Sequence, residues 1–166
     1  MNKIRIMIAD DHPLVIDGLR ACLAVYDHID VVGDAQTGRE AFQKAEQLQP
    51  DIVLMDINMP DLNGLDATEL FKEKYPDIRL LILTMHDNPE YIFTAVSYGA
   101  RGFVLKDVPT SEIVIAIEAI HRGGSYFSSV ASDILLTQKE KPAIHLTARE
   151  QTVLLLLAKG HCNKHI

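Results

Sequence analysis

Five residues of this 166-residue chain are of types that could move a phosphoryl group, and each follows an apolar run. Asp56 closes Ile52-Val53-Leu54-Met55, the pair Asp10-Asp11 follows Ile4-Arg5-Ile6-Met7-Ile8-Ala9, Thr84 follows Leu80-Leu81-Ile82-Leu83, and Lys106 follows Gly102-Phe103-Val104-Leu105. A carboxylate at the end of a buried strand is costly to desolvate, so Asp56 reads as a group with work to do. If Asp10, Asp11 and Asp56 converge, their mutual repulsion calls for a cation. Magnesium suits that role, because it prefers hard oxygens, octahedral geometry and several retained waters. Two carboxylates, a backbone carbonyl near Asn58 and a phosphate oxygen would serve it.

Phosphoryl transfer asks little covalent chemistry of a protein: an in-line nucleophile, a cation on the phosphoryl oxygens and donors for the rest. Asp56 is the candidate nucleophile and phosphorylation site. Lys106 and the Thr84 hydroxyl are the candidate donors. The phosphoryl source would be a phosphohistidine on a partner protein or a small phosphodonor. A phosphoaspartate adds charge and strong acceptors, which could draw Thr84 inward and open space for Phe103, the expected switch pair. Taken singly, these residues have bland readings: an Asp pair is usually a solvated turn and a Phe in a strand is usually core. Their joint placement after strands favours the chemical reading.

Elements that could bring these residues together are legible in the apolar pattern. Strand-like runs rich in Ile, Val and Leu fall near 3–9, 29–33, 51–55, 78–83 and 102–105, and helical spacing marks about 13–25, 38–48, 64–74, 89–98 and 110–121. Pro13 suits a first helical position, Thr37 and Thr110 are candidate caps, and Gly99 and Gly123 sit where helices should stop. Strands buried on both faces imply a parallel sheet covered by helices on each side. The expected fold is therefore α/β, a doubly wound five-stranded parallel sheet of order 2-1-3-4-5. In that order the first and third strands are neighbours at the topological switch point, which sets Asp10 and Asp11 beside Asp56.

Composition narrows the function classes. The formal net charge of −7 argues against a chain that coats nucleic acid or anionic membrane over its whole surface. The charge is uneven: from Ala143 onward Arg149, Lys159 and Lys164 face Glu150 alone, a net +2 that leaves −9 for the remainder. Cys22 and Cys162 lack disulfide or zinc spacing, and no apolar stretch reaches membrane-spanning length, so a cytoplasmic protein with reduced thiols is expected. The histidines show no ligand spacing, and His12 and His86 read by default as solvated or satisfied side chains.

Residues 1–122 form the expected α/β domain. Residues 123–145 turn polar and read as a linker with one short helix near Val130–Leu136. In 146–166, Thr147 and Glu150 have capping-box spacing ahead of the apolar Val153–Ala158 helix, and Gly160 stops it.

The constellation resembles response regulators of the NarL/FixJ family. The matching segments are Ala9-Asp10-Asp11-His12-Pro13, Asp51 through Pro60, Gly64, Leu83-Thr84 and Gly99 through Lys106. The resemblance implies a flavodoxin-like response regulatory domain, phosphorylation of Asp56 by a sensor histidine kinase and a magnesium pocket of Asp10, Asp11 and Asp56. To that pocket Asn58 would lend its main-chain carbonyl. It also implies Thr84 and Phe103 as switch pair, Lys106 as the phosphate-binding lysine, dimerisation on phosphorylation and no turnover of a separate substrate. Asp107 stands where many receivers have proline, as in other members of this subfamily. The segment Leu146–Gly160 with Asn163-Lys164-His165-Ile166 looks like the opening of a LuxR-type helix-turn-helix domain. Its groove-reading helix would lie beyond Ile166, so DNA binding is expected of the longer form and not of these residues.

Two other readings stay open at this level. One is a receiver that acts through protein partners, its apolar tail serving as a dimer or docking surface. The other is an aspartate-dependent phosphatase, disfavoured because Asn58 stands where such enzymes place a second acid.

Overall fold

A computed structural model describes residues 2–140, and the side chains of 138–140 lie outside that description. The expected HTH fragment, 146–166, and the part of the expected linker beyond 140 are outside the described residues. Six parallel strands form one sheet: β1 (Ile4–Ala9), β2 (Ile29–Ala35), β3 (Ile52–Met55), β4 (Arg79–Thr84), β5 (Gly102–Leu105) and β6 (Tyr126–Phe127). Six helices accompany them: α1 (Pro13–Leu23), α2 (Gly38–Leu48), α3 (Gly64–Lys74), α4 (Pro89–Ser97), α5 (Thr110–His121) and α6 (Ser129–Glu140). Spatial order is β2-β1-β3-β4-β5-β6, so the expected 2-1-3-4-5 arrangement holds, with one strand added at the β5 edge.

The expected count of five strands is thus corrected to six. A two-residue strand has no periodicity to read, and its reason for forming is a tertiary one. As an edge strand, β5 would present unpaired main-chain groups. The Tyr126 and Ser128 N–H groups donate to the Arg101 and Phe103 carbonyls, each at 3.0 Å. Linker expectations for 123–140 therefore meet a strand and a helix built onto the domain.

Helices cover both faces. On one, α1 and α5 bury Ile16, Leu23, Ile113, Ile117 and Ile120 against Ile6, Ile8, Leu54, Leu81 and Val104. The other face receives α2, α3, α4 and α6, which contribute Ala41, Phe71, Ile92 and Ala131 to a core with Met7, Val53, Met55, Ile82 and Phe103. Alternate strand residues serve opposite faces, which is why these strands read as continuous apolar runs.

Local signals act largely as expected. Pro13 opens α1. Thr37 caps α2, its side chain accepting from the Glu40 N–H at 2.9 Å. Gly99 and Gly123 adopt φ of +97° and +93° after α4 and α5. Thr110 does not cap: Pro109, extended at φ −60° and ψ 148°, holds that position and Thr110 is already helical. Among the described residues no helix is long and apolar enough to cross a membrane.

Candidate functional site

Sheet register assembles the site. Ala9 pairs with Met55 and Thr84 with Leu105, so the next residues along, Asp10, Asp56 and Lys106, emerge together at the carboxyl edge. Main-chain bonding continues one residue beyond the strands: the N–H groups of Asp10, Asp56 and Lys106 donate to the carbonyls of Ala35, Ala9 and Thr84 at 2.9, 2.9 and 2.8 Å. These anchors fix where the three side chains begin.

Lys106 reaches between the acids. Its ammonium donates to Asp10 Oδ2 and lies 3.5 Å from Asp56 Oδ1. Asp10 and Asp56 are buried, at 2% and 5% exposure, so each carboxylate is largely cut off from water. Burial pushes the Asp56 carboxyl above its usual range; the nearby Lys106 charge opposes that rise and Asp10 adds to it.

Asp11 completes the acidic cluster. Carboxylate oxygens of Asp10, Asp11 and Asp56 lie with a His12 ring nitrogen inside a 4.8 Å span. Asp11 Oδ1 is buried and accepts no well-directed hydrogen bond, although His12 Nδ1 lies 2.9 Å away. An orphaned anionic oxygen facing two further carboxylates is a poor resting arrangement without a cation. The donor set fits a hard divalent ion.

His12 fits its default reading as a solvated and satisfied side chain, and its partners are the acids of the site. Its side chain is largely exposed, yet Nδ1 sits 3.0 Å from Asp10 Oδ1, and its main-chain N–H donates to the same oxygen at 2.9 Å. Adjacency to the Asp pair was the available signal.

The other candidates are placed as follows. Thr84 is buried at the end of β4, and its Oγ1 accepts from the His86 N–H at 3.4 Å. Asn58 is exposed in the loop after β3. Phe103 is not at the rim: it lies fully buried in the core on the α4 and α6 face of the sheet.

Glycines in and near that loop are requirements that spacing alone did not show. A Cβ on Gly64 would fall 1.9 Å from the Asp56 carbonyl oxygen, and the Gly64 N–H donates to the Ile57 carbonyl at 2.9 Å. Asn63 caps α3 just ahead of it, its side chain accepting from the Leu65 and Asp66 N–H groups. Across the loop, a Cβ on Gly38 would lie 2.3 Å from the Leu62 carbonyl oxygen. Asp61 and Leu62 turn through φ of +47° and +82°, an uncommon conformation held here by neighbouring contacts. The Arg39 N–H donates to the Asp61 carbonyl at 3.4 Å, and Arg39 Nε to its carboxylate at 3.1 Å.

A doubly wound sheet carrying an acidic cluster and a lysine at its switch point defines a class of phosphoacceptor-like domains, and comparison with known proteins narrows it. Residues 6–118 match the family model of the response regulator receiver domain. The chain is 48% identical over 165 residues to the transcriptional regulatory protein MctR of Rhizobium johnstonii, an alignment covering 99% of this chain and 77% of that protein. A two-component response regulator of the LuxR family from Aurantimonas superimposes with a TM-score of 0.78 at 35% identity, covering 84% of this chain and all of the other. The response regulator RcsB in a DNA complex gives 0.78 at 27% identity, covering 97% and 79%. This chain belongs to the receiver-domain family: it is a two-component response regulator of the NarL/LuxR type.

Proposed function

We propose that Asp56 accepts a phosphoryl group from a sensor histidine kinase and that the resulting charge resets the Thr84 and Phe103 region to control transcription. The observation that carries this reading is the juxtaposition of a buried Asp56 with Lys106 Nζ at 3.5 Å and with the Asp10 and Asp11 carboxylates. Asp56 would attack phosphorus in line as the phosphorus–nitrogen bond to the kinase histidine breaks, leaving an acyl phosphate on Asp56. Lys106 and the Thr84 hydroxyl would then hold phosphoryl oxygens. Magnesium, held by Asp10, Asp11, Asp56 and the Asn58 main-chain carbonyl, would supply charge neutralisation.

On this reading the protein assists its own phosphorylation and turns over no separate substrate. The transcriptional output, with DNA contact, is supported by likeness: MctR is named a transcriptional regulator and the RcsB structure is a complex with DNA. A homodimer formed on phosphorylation, in the cytoplasm, belongs to the same reading, and RcsB is found as dimers on DNA.

Incubation with acetyl phosphate and magnesium tests the chemistry. Intact mass should show one acid-labile phosphoryl group, absent in Asp56→Asn and strongly reduced without magnesium. Equal labelling of wild type and Asp56→Asn would refute the assignment.

A further inference from the structure

The backbone of His12 sets its ring beside the two acids that precede it. A residue ahead of proline is confined to extended backbone, and His12 holds φ −104° and ψ 106° in front of Pro13. Its N–H donates to Asp10 Oδ1 at 2.9 Å, and its carbonyl accepts the Val15 and Ile16 N–H groups at 3.0 and 3.2 Å at the start of α1. The side chain makes no capping bond to that helix and serves the acids instead. Nδ1 lies 3.0 Å from Asp10 Oδ1 and 2.9 Å from Asp11 Oδ1. One ring nitrogen carries at most one hydrogen, so it satisfies only one of the two oxygens. Asp10 Oδ1 also has the His12 N–H, whereas the buried Asp11 Oδ1 is left without a hydrogen-bond donor.

We propose that His12 is a ligand of the cation held by Asp10, Asp11 and Asp56, and that this nitrogen donor gives the site a preference for divalent transition ions over magnesium. The proposal rests on the metal-assisted reading above and adds to it a fourth side-chain ligand. Close approach without a directed hydrogen bond is the arrangement of donor atoms that share an ion. In an octahedral site with bonds of about 2.1 Å, adjacent donors stand about 3.0 Å apart. Both His12 separations match that spacing, and the donor atoms of Asp10, Asp11, His12 and Asp56 all fall within 4.8 Å of one another. Magnesium takes hard oxygens and gains little from an imidazole, whereas ions further along the transition series accept one readily. The His12 side chain is 66% exposed, so the ring keeps its outer edge in water while Nδ1 faces the carboxylates. Its fixed backbone also leaves little freedom to lose on binding.

Manganese is the probe, because it is paramagnetic and binds stray histidines and thiols weakly. Pulsed electron paramagnetic resonance on the manganese-loaded full chain should show coupling to a directly bound nitrogen, lost in His12→Ala. Calorimetric titration should show manganese affinity about tenfold weaker in His12→Ala, with magnesium affinity changed by less than about twofold. Asp11→Asn should weaken both ions, which locates the binding at this cluster. Equal weakening of both ions in His12→Ala, a nitrogen signal that persists in that variant, or manganese affinity unchanged in Asp11→Asn would each overturn the proposal. Acetyl phosphate added to the manganese-loaded chain separates the two readings by intact mass. Absence of a phosphoryl group on Asp56 refutes the phosphoacceptor reading, while a nitrogen signal that depends on His12 still upholds the ligand. A phosphoryl group on Asp56 without that signal overturns the ligand alone.

Discussion

Gly64 sits against the main chain of Asp56 so closely that a single methyl group at position 64 would overlap the Asp56 carbonyl oxygen. The start of α3 therefore packs directly on the main chain of the proposed phosphoacceptor. Gly64→Ala must push Asp56 or α3 aside, at a cost of about 1–3 kcal/mol for overpacking. Urea unfolding should show that loss. Labelling by acetyl phosphate should fall as well, because Asp56 is displaced from Lys106 and the other acids.

Lys106 is the only positive side chain among the described residues that reaches both Asp10 and Asp56. Lys106→Met leaves two buried carboxylates without it, and removing one partner of a buried ionic group typically costs about 3–5 kcal/mol. Thermal unfolding at neutral pH without magnesium should register the loss. Added magnesium should recover part of it, since an ion bound only by the folded state stabilises by mass action.

Asp56 carries a pH signature. Because burial raises its carboxyl, the folded protein holds this proton more firmly than the unfolded chain does. The resulting stability is fully present below the ordinary carboxylate range and is lost as pH rises through the raised value. In metal-free buffer, Asp56→Asn should therefore gain stability relative to wild type as pH increases, then hold a constant margin. Denaturant titrations across pH 3 to 8, in steps of about one unit, check this, and a margin that is independent of pH would contradict it.

Thr37 and Glu40 cooperate at the start of α2. Thr37 accepts from the Glu40 N–H, and the Glu40 carboxylate accepts from the Gln36 N–H at 2.8 Å. Thr37→Ala should cost about 1 kcal/mol. The Gln36 bond first, and Lys44 second, hold the Glu40 carboxyl below its usual range. Stability from Glu40 is thus present above the ordinary carboxylate value and lost as pH falls through the lowered one. Glu40→Gln should flatten that acid limb, as followed by circular dichroism.

Strands β1, β3, β4 and β5 were legible because burial on both faces leaves a nearly continuous apolar run, broken only by Arg5 in β1 and Arg79 at the start of β4, and the chemical residues follow at or just after the ends of those runs. The βα alternation then implied which strand ends meet. His12 was harder to read, since its position beside the Asp pair suits a solvated turn equally well. Gly64 was visible as a helix start, but its contact with Asp56 depends on the loop folding back through Asp61 and Leu62. Ala131, in a polar stretch with weak helical spacing, gave no sign of complete burial.

Position in the chain and burial period implied the α/β architecture and, with the order usual for a doubly wound sheet, the neighbours of β1 to β5; they also marked Asp10, Asp11, Asp56, Thr84 and Lys106 as candidates at strand ends, because those signals are local and repeat along each element. Tertiary structure alone decided that Asp11 keeps an oxygen without a donor, that Gly64 must lack a side chain, and that β6 and α6 close over Phe103. Each of these depends on atoms brought together by folding, and proximity created that way leaves no periodic trace in the order of the residues.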